Sequence, residues 1–109
     1  MCSTPSVPLP PPAVDTSALS FTEPAAGSVI LSGLARQVHA DARFYILDRQ
    51  SGDGVITTAA ADGSFTAPPL SATIGDVAEV YFDTPDGKAS EHVCVTVLLQ
   101  QTLIGASCP

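Results

Sequence analysis

Hydrophobic and polar residues alternate along most of this chain in short stretches, which is the pattern of β-strands with one buried face. Seven such stretches occupy residues 18–22, 29–35, 43–48, 54–60, 63–67, 77–83 and 91–99. The segments between them carry Gly, Pro, Asp or Ser, which favour tight turns. Because no window keeps a helical apolar period over several turns, we expect an all-β fold. The pattern predicts a seven-stranded antiparallel β-sandwich of two sheets, preceded by an extended Pro-rich arm.

Alternation within the stretches also predicts which side chains face the core. In the stretch 43–48, either Phe44 and Ile46 or Tyr45 and Leu47 could form the inner pair, because both faces are apolar. Apolar residues on both faces indicate a central strand. In the last stretch Cys94 falls on the face opposite the valines. The predicted core residues are Phe65, Val80, Phe82, Val93, Val95 and Val97.

The first 16 residues differ in composition from the rest of the chain. Prolines at positions 5, 8, 10, 11 and 12 favour an extended backbone without hydrogen-bond donors, so residues 1–16 are predicted to form a tether or arm. The sandwich is predicted to span 17–99, with a tail at 100–109. Three apolar residues of the arm could contact a neighbouring molecule: Val7, Leu9 and Val14.

Two sequence segments carry a resemblance to known modules. The segment GSVILSGLA has the rhythm of the second strand of bacterial immunoglobulin-like modules, and AADGSFTAPPL followed by IGDVAEVYFDTPDGKASEHVCVTV resembles their second half. The DGSF turn is also similar to that of carboxypeptidase-regulatory-like and transthyretin-like modules. The resemblance covers about residues 17–99 and implies an immunoglobulin-like β-sandwich, with Asp62 and Gly63 in a tight turn and Phe65 in the core. It implies no ligand site.

The charge balance argues against some classes of partner. The 109 residues include eleven acidic and four basic side chains, for a net charge of −7. Such a surface repels phosphate backbones and anionic lipid headgroups, so neither nucleic-acid binding nor direct membrane binding is expected. We expect a protein partner or self-assembly on a surface.

Cysteines at positions 94 and 108 are candidates for a disulfide. Cys94 is predicted to point away from the core, and Cys108 lies far enough along the chain to fold back over the outer face, with Leu98, Leu103 and Ile104 covering one another. A Cys94–Cys108 disulfide would fasten the tail and contribute about 3 kcal/mol in the chain-entropy model. The alternative is a pair of unrelated thiols.

This pairing leaves Cys2 without a partner. A cysteine followed by small polar residues and a Pro-rich spacer resembles the mature N-terminus of a bacterial lipoprotein, in which the thiol carries a lipid. The resemblance implies lipidation at Cys2 and a location on the extracellular side of the bacterial outer membrane, with membrane contact only through the anchor.

Metal binding and catalysis find little support in the sequence. Asp53, Asp76 and Asp83 could bind calcium only if their loops met at one end of the sandwich, and Asp-Gly pairs are ordinary turn residues. Two isolated histidines do not make a zinc site. His39 and His92 are therefore interpreted as ordinary histidines and are expected on the surface. We therefore expect no cofactor, no metal and no enzymatic activity.

The function expected from these observations is that of a surface-exposed structural or adhesive module that docks on another surface component. The outer face around Tyr45, Leu47 and Tyr81 is the expected contact area. An alternative is a virion decoration or accessory protein with the same fold and an intersubunit N-terminal arm. A carbohydrate-binding module is a weaker alternative, because the chain has no Trp.

Overall fold

The structure, a computed structural model, describes residues 11–99, 101 and 103–108. Nine strands occur in this part of the chain, with two single-turn 3₁₀ helices at Thr16–Ala18 and Gln37–His39. The strands are β1 (Leu19–Ala25), β2 (Ser28–Gly33), β3 (Arg43–Asp48), β4 (Gly54–Thr58), β5 (Phe65–Thr66), β6 (Leu70–Ser71), β7 (Val77–Asp83), β8 (Val93–Thr96) and β9 (Ala106–Ser107). Within the described ranges, no helix is long and apolar enough to cross a membrane.

The strands form two antiparallel sheets. In the four-stranded sheet the order is β1-β2-β5, and β6 also pairs with β2. In the five-stranded sheet the order is β4-β3-β7-β8-β9. A parallel bridge between Phe21 and Leu99 links β1 to the residues that follow β8. The two sheets pack face to face, and the predicted all-β sandwich is confirmed.

Each of the seven predicted stretches contains a strand, and the structure adds two short ones, β6 and β9. Strand β6 is separate from β5 because Pro68 and Pro69 lie between them and have no N–H groups for the ladder. Strand β9 belongs to the tail, where Ala106 pairs with Cys94. Strands β6 and β9 have two residues each, and neither lies in a longer alternating stretch like the one that contains β5.

The core lies between the sheets and centres on three phenylalanines. The ring of Phe44 stacks on that of Phe65 at 4.3 Å and contacts that of Phe82 at 5.1 Å. The pairing of β3 with β7 shows which face of β3 is the inner one. Phe44 lies opposite Phe82 and Ile46 lies opposite Val80, and Phe82 and Val80 are fully buried. The other predicted core residues are buried too, except Val93, which is partly buried.

The arm and its boundary require a correction. Val14, expected as a surface contact, is 8% exposed and belongs to the core. The backbone N–H of the next residue, Asp15, donates a hydrogen bond of 3.0 Å to Nε2 of His39, which fixes the chain against the sandwich at this point. Cys2, Val7 and Leu9 lie outside the described residues.

His39 also differs from the expectation. It was predicted to lie on the surface, but it is fully buried beneath the start of β3. Its ring packs edge-to-face on Phe44 at 4.9 Å and on Phe82 at 5.4 Å. Burial is possible because a neutral imidazole is compact and its Nε2 has a backbone partner.

Candidate interaction surface

Four side chains form a row across the outer face of the five-stranded sheet. Ile56 of β4 lies opposite Tyr45 of β3, and Tyr45 lies opposite Tyr81 of β7. His92, just before β8, stacks on the other side of Tyr81. We call Ile56, Tyr45, Tyr81 and His92 the outer row. Sequence reasoning anticipated its two tyrosines.

The rings of the outer row stack on one another. The Tyr45 and Tyr81 ring centres lie 4.8 Å apart with an interplanar angle of 11°. The Tyr81 and His92 ring centres lie 3.8 Å apart with an angle of 1°. Both faces of the Tyr81 ring are therefore covered by neighbouring rings. Because sugar-binding platforms offer open aromatic faces, this arrangement suits contact through ring edges with a protein surface better than stacking on a sugar.

Polar contacts hold the outer row in place. The Tyr45 hydroxyl donates a hydrogen bond of 2.9 Å to Oδ2 of Asp83. On the other side of the row, Nδ1 of His92 contacts Oε2 of Glu79. A side chain fixed at both its ring and its polar end loses little conformational entropy when a partner binds. The row is a pre-organised surface.

Exposed apolar residues adjoin the outer row. Ile56 itself is 57% exposed and Leu47 is 37% exposed, and both lie on the outer face. Tyr45 and Tyr81, which were also predicted as contacts, are partly buried, and their rings stack on each other. The structure thus brings Tyr45, Leu47 and Tyr81 together on one face, as expected, and adds Ile56 and His92.

The disulfide flanks the outer row. Cys94 and Cys108 are joined, with their Cα atoms 5.0 Å apart, which confirms the predicted pairing. The Arg49 guanidinium lies 3.4 Å from Sγ of Cys94 and 3.9 Å from a carboxylate oxygen of Glu79. The expected mutual cover of Leu98, Leu103 and Ile104 is wrong, because Leu103 enters the core while Ile104 remains 87% exposed.

Metal ligation at the disulfide does not fit its chemistry. Glu79, Cys94 and Cys108 have possible ligand atoms within 4.8 Å of one another, the single such group found in the described part of the chain. Zinc binds cysteine as a thiolate, and the two sulfurs here are bonded to each other. In the disulfide form of the protein, this group therefore offers a metal ion one carboxylate and no thiolate.

The three aspartates of the calcium alternative do not converge. Asp76 immediately precedes β7 and Asp83 ends it, so they stand at opposite ends of a strand that is about 20 Å long. Each carboxylate has a local role: Asp53 accepts from the backbone N–H of Ser71, and Asp76 from that of Thr73. A shared calcium ion at these residues is excluded by this geometry.

The outward edge of β4 presents backbone N–H and C=O groups. The Ala59 N–H donates to the Ala42 carbonyl at one end of the β3–β4 ladder, and the Asp48 N–H donates to the Asp53 carbonyl at the other, both at 2.8 Å. Because bonded and non-bonded pairs alternate in antiparallel ladders, every second residue of β4 directs its N–H and C=O away from β3. These residues are Gly54, Ile56 and Thr58. In the described ranges no strand pairs with this edge.

Two buried polar side chains escaped sequence reasoning. Burial holds the pKa of His39 below its usual range; the Asp15 carboxylate opposes this effect and Arg36 adds to it.

Asp48 is also fully buried, and its Oδ1 accepts from the backbone N–H groups of Gln50 and Ser51 at 2.8 and 2.7 Å. Asp48 thus caps the turn after β3, a role that the DRQS sequence is typical of.

Hydrogen bonds at the base of the arm involve Asp15. Its carboxylate accepts a bond of 2.5 Å from the Ser17 hydroxyl and one of 3.0 Å from Nε of Arg36. The Ser17 hydroxyl, ahead of Arg36, holds the pKa of this carboxyl below its usual range, against an opposing effect of burial. Together with the bond from the Asp15 N–H to His39, these contacts fix this point of the chain on the sandwich.

No protein-family model, curated protein or solved structure matches this chain significantly.

Proposed function

We propose that this chain is a non-enzymatic, surface-exposed module with a structural or adhesive role, and that it docks on another surface component through the outer face of its five-stranded sheet. The outer row is the observation that carries this proposal. It combines exposed apolar area at Ile56 with tyrosine and histidine edges that are fixed by stacking. Aromatic residues held rigid at a surface are typical centres of protein interfaces.

The strand order supports an immunoglobulin-like module in particular. Strands β1, β2 and β5 share one sheet, and β3, β7 and β8 share the other, with β4 added beside β3. Immunoglobulin-like sandwiches group their A, B and E strands and their C, F and G strands in the same way, and the variable type adds a strand next to C. This arrangement agrees with the GSVILSGLA and ADGSF resemblances in the sequence.

A lipid anchor at Cys2 completes the proposal. The disulfide takes up Cys94 and Cys108, so Cys2 is the remaining cysteine and the one that resembles a lipoprotein start. A diacylglycerol thioether together with an acylated amine anchors a protein stably. The prolines that follow would hold the sandwich away from the outer-membrane surface.

Docking can be tested on envelopes from the organism that encodes the chain. The fluorescently labelled protein should bind these envelopes saturably, and the double variant Tyr81→Ala/His92→Ala should bind about tenfold more weakly or worse. Leu34→Ala, a 63% exposed apolar residue outside the outer face, is the matched control and should bind normally. Equal binding of the row variant and the control would contradict the docking surface.

The anchor has its own test. The gene is expressed with its native upstream codons in a bacterium fed an alkyne-tagged fatty acid, and the purified chain is examined for the label. Cys2→Ser should abolish the label, whereas Cys94→Ser/Cys108→Ser should keep it. A chain that carries no label in this experiment contradicts the anchor and favours the virion-protein alternative.

A further inference from the structure

We propose that the free edge of β4 binds the Pro-rich arm of a second copy of this chain, as an added antiparallel strand that pairs through Val7 and Leu9. The proposal concerns self-assembly and is independent of the lipid anchor and of the docking partner. The backbone of β4, the sequence of the arm and the absence of charge in both segments support it.

Strand β4 lacks the features that usually protect a sheet edge. Edge strands are commonly blocked by charges, prolines or bulges. Strand β1, an edge of the other sheet, has Glu23, Pro24 and a shift of register between Thr22 and Ala25. Strand β4 reads GVITT, with no charge and no proline, and it pairs with β3 in an uninterrupted register. No residue of β4 itself therefore opposes strand addition.

The arm has the composition of a strand that bonds on one side only. In an extended chain, N–H groups of successive residues point to opposite sides. Prolines at 8 and 10 leave one side without donors, while Val7 and Leu9 keep theirs on the other. Such a strand would pair with β4 and present to solvent an edge poor in donors, which stops further addition.

Side chains of the arm match the outer face beside β4. A residue in a bonded antiparallel pair with Ile56 has its side chain on the same face as Ile56. Val7 opposite Ile56 would place Leu9 opposite Gly54, close to Leu47, whose Cδ1 lies 3.6 Å from the point where a Gly54 Cβ would be. The added strand would thus extend the outer row with two apolar side chains.

Charge also favours the arm as the occupant. The chain carries a net charge of −7, so most of its surfaces repel a second copy. Residues 3–14 contain no charged side chain, and neither does β4. Pairing these two segments brings two neutral surfaces together.

The alternative occupant of the edge is the chain's own arm. Asp15, at the base of the arm, bonds to His39, whose ring packs on Phe44 of β3, the strand beside β4. Hydrogen exchange of the β4 amides, with and without the arm, separates this intramolecular pairing from exchange between copies.

Complementation between two blocked chains tests the proposal, with Cys2→Ser in every chain so that an intermolecular disulfide cannot imitate assembly. One chain lacks residues 3–10 and keeps β4; the other keeps its arm and carries Ile56→Lys. Each should be monomeric in analytical ultracentrifugation, while the parent chain associates and the mixture gives a 1:1 complex. Ile56→Lys should raise the dissociation constant of self-association about tenfold or more. Ile104→Lys, the same change at another exposed isoleucine, should associate like the parent.

Each other outcome overturns the proposal. A parent chain that stays monomeric up to millimolar concentration has no arm exchange. If the arm-deleted chain still associates, it pairs through β4 edges or through another surface. If the β4 amides at 54, 56 and 58 of a monomer are protected from hydrogen exchange only when the arm is present, the chain binds its own arm. Because these experiments use purified chain alone, their failure is distinct from a failure of envelope docking.

Discussion

The backbone N–H of Asp15 donates its hydrogen bond to the side chain of a residue 24 positions later, Nε2 of His39. This contact joins the base of the arm to the core, because the His39 ring packs against Phe44 and Phe82. The acceptor must be unprotonated for the bond to exist, so the ring proton of the neutral form is on Nδ1. The described part of the structure offers that Nδ1 no hydrogen-bond partner.

Stability should therefore fall as the solution becomes mildly acidic. Burial lowers the pKa of His39 in the folded protein, so the unfolded chain takes up a proton first. The loss should begin as pH falls below about 6.5, with a slope of up to about 1.4 kcal/mol per pH unit until the folded state also protonates. Urea unfolding between pH 8 and pH 5 measures it. His39→Gln keeps an acceptor but does not titrate, so its stability should lose this slope; an unchanged slope would assign it to another group.

Adjacent aromatic residues of β7 should differ sharply in their contribution to stability. Phe82 is fully buried, so Phe82→Ala should cost about 3–5 kcal/mol, close to the whole stability of a domain of this size. Tyr81→Ala, the matched control on the outer face, should cost about 1 kcal/mol. Chemical denaturation of both variants gives the comparison. Similar losses would mean that the outer row, too, is part of the folding core.

The turn before β5 should tolerate no side chain at Gly63. Its φ is +88°, and a Cβ there would lie 1.9 Å from the Arg36 carbonyl oxygen. Gly52 has a similar φ of +78° but nothing within 4 Å of its Cβ position, which makes it a control for backbone strain alone. Gly52→Ala should cost about 1 kcal/mol, and Gly63→Ala several times more, in thermal or urea unfolding. Equal costs would show that the Arg36 backbone moves aside.

Removing the disulfide should weaken the fold without abolishing it. The two cysteines are separated by 14 residues, so Cys94→Ser/Cys108→Ser should lose about 3 kcal/mol in the chain-entropy model. Leu103, which is buried in the core from within this loop, should become more accessible as well. Urea unfolding gives the free energy, and hydrogen exchange of residues 103–107 gives the local effect. An unchanged unfolding midpoint would contradict the prediction.

Local alternation predicts seven of the nine described strands, most of their faces and the outward position of Cys94 that points to the disulfide. The position of Cys94 opposite the valines of β8 is of this kind. His39 is different, since its burial depends on Asp15 and on two phenylalanines that come from distant strands. Val14 was misjudged for the same reason: the prolines before it indicate an arm, but nothing local shows where that arm enters the core.

The outer row shows the same limit at the level of the site. Alternation places Tyr81 and His92 on outward faces and leaves the face of Tyr45 undecided, and it does not show that the three rings lie side by side. That depends on the register of β3 against β7, which sets Tyr45 opposite Tyr81. Register is fixed by the fit of the buried faces, such as Phe44 opposite Phe82, so the site is a consequence of the core.

The disulfide also determines how the sandwich would carry a mechanical load. Tension applied beyond residue 108 passes through the sulfur bridge to Cys94 and enters the fold at β8. The loop between the two cysteines is bypassed, so its contour length, about 45 Å when extended, adds nothing to the reach of the oxidised protein. The parallel contact between Phe21 and Leu99 lies partly inside this shielded loop and is spared the direct pull. Reduction would remove the bypass, and the force would then act first on β9 and next on Leu103 and Val97, core residues that lie inside the loop.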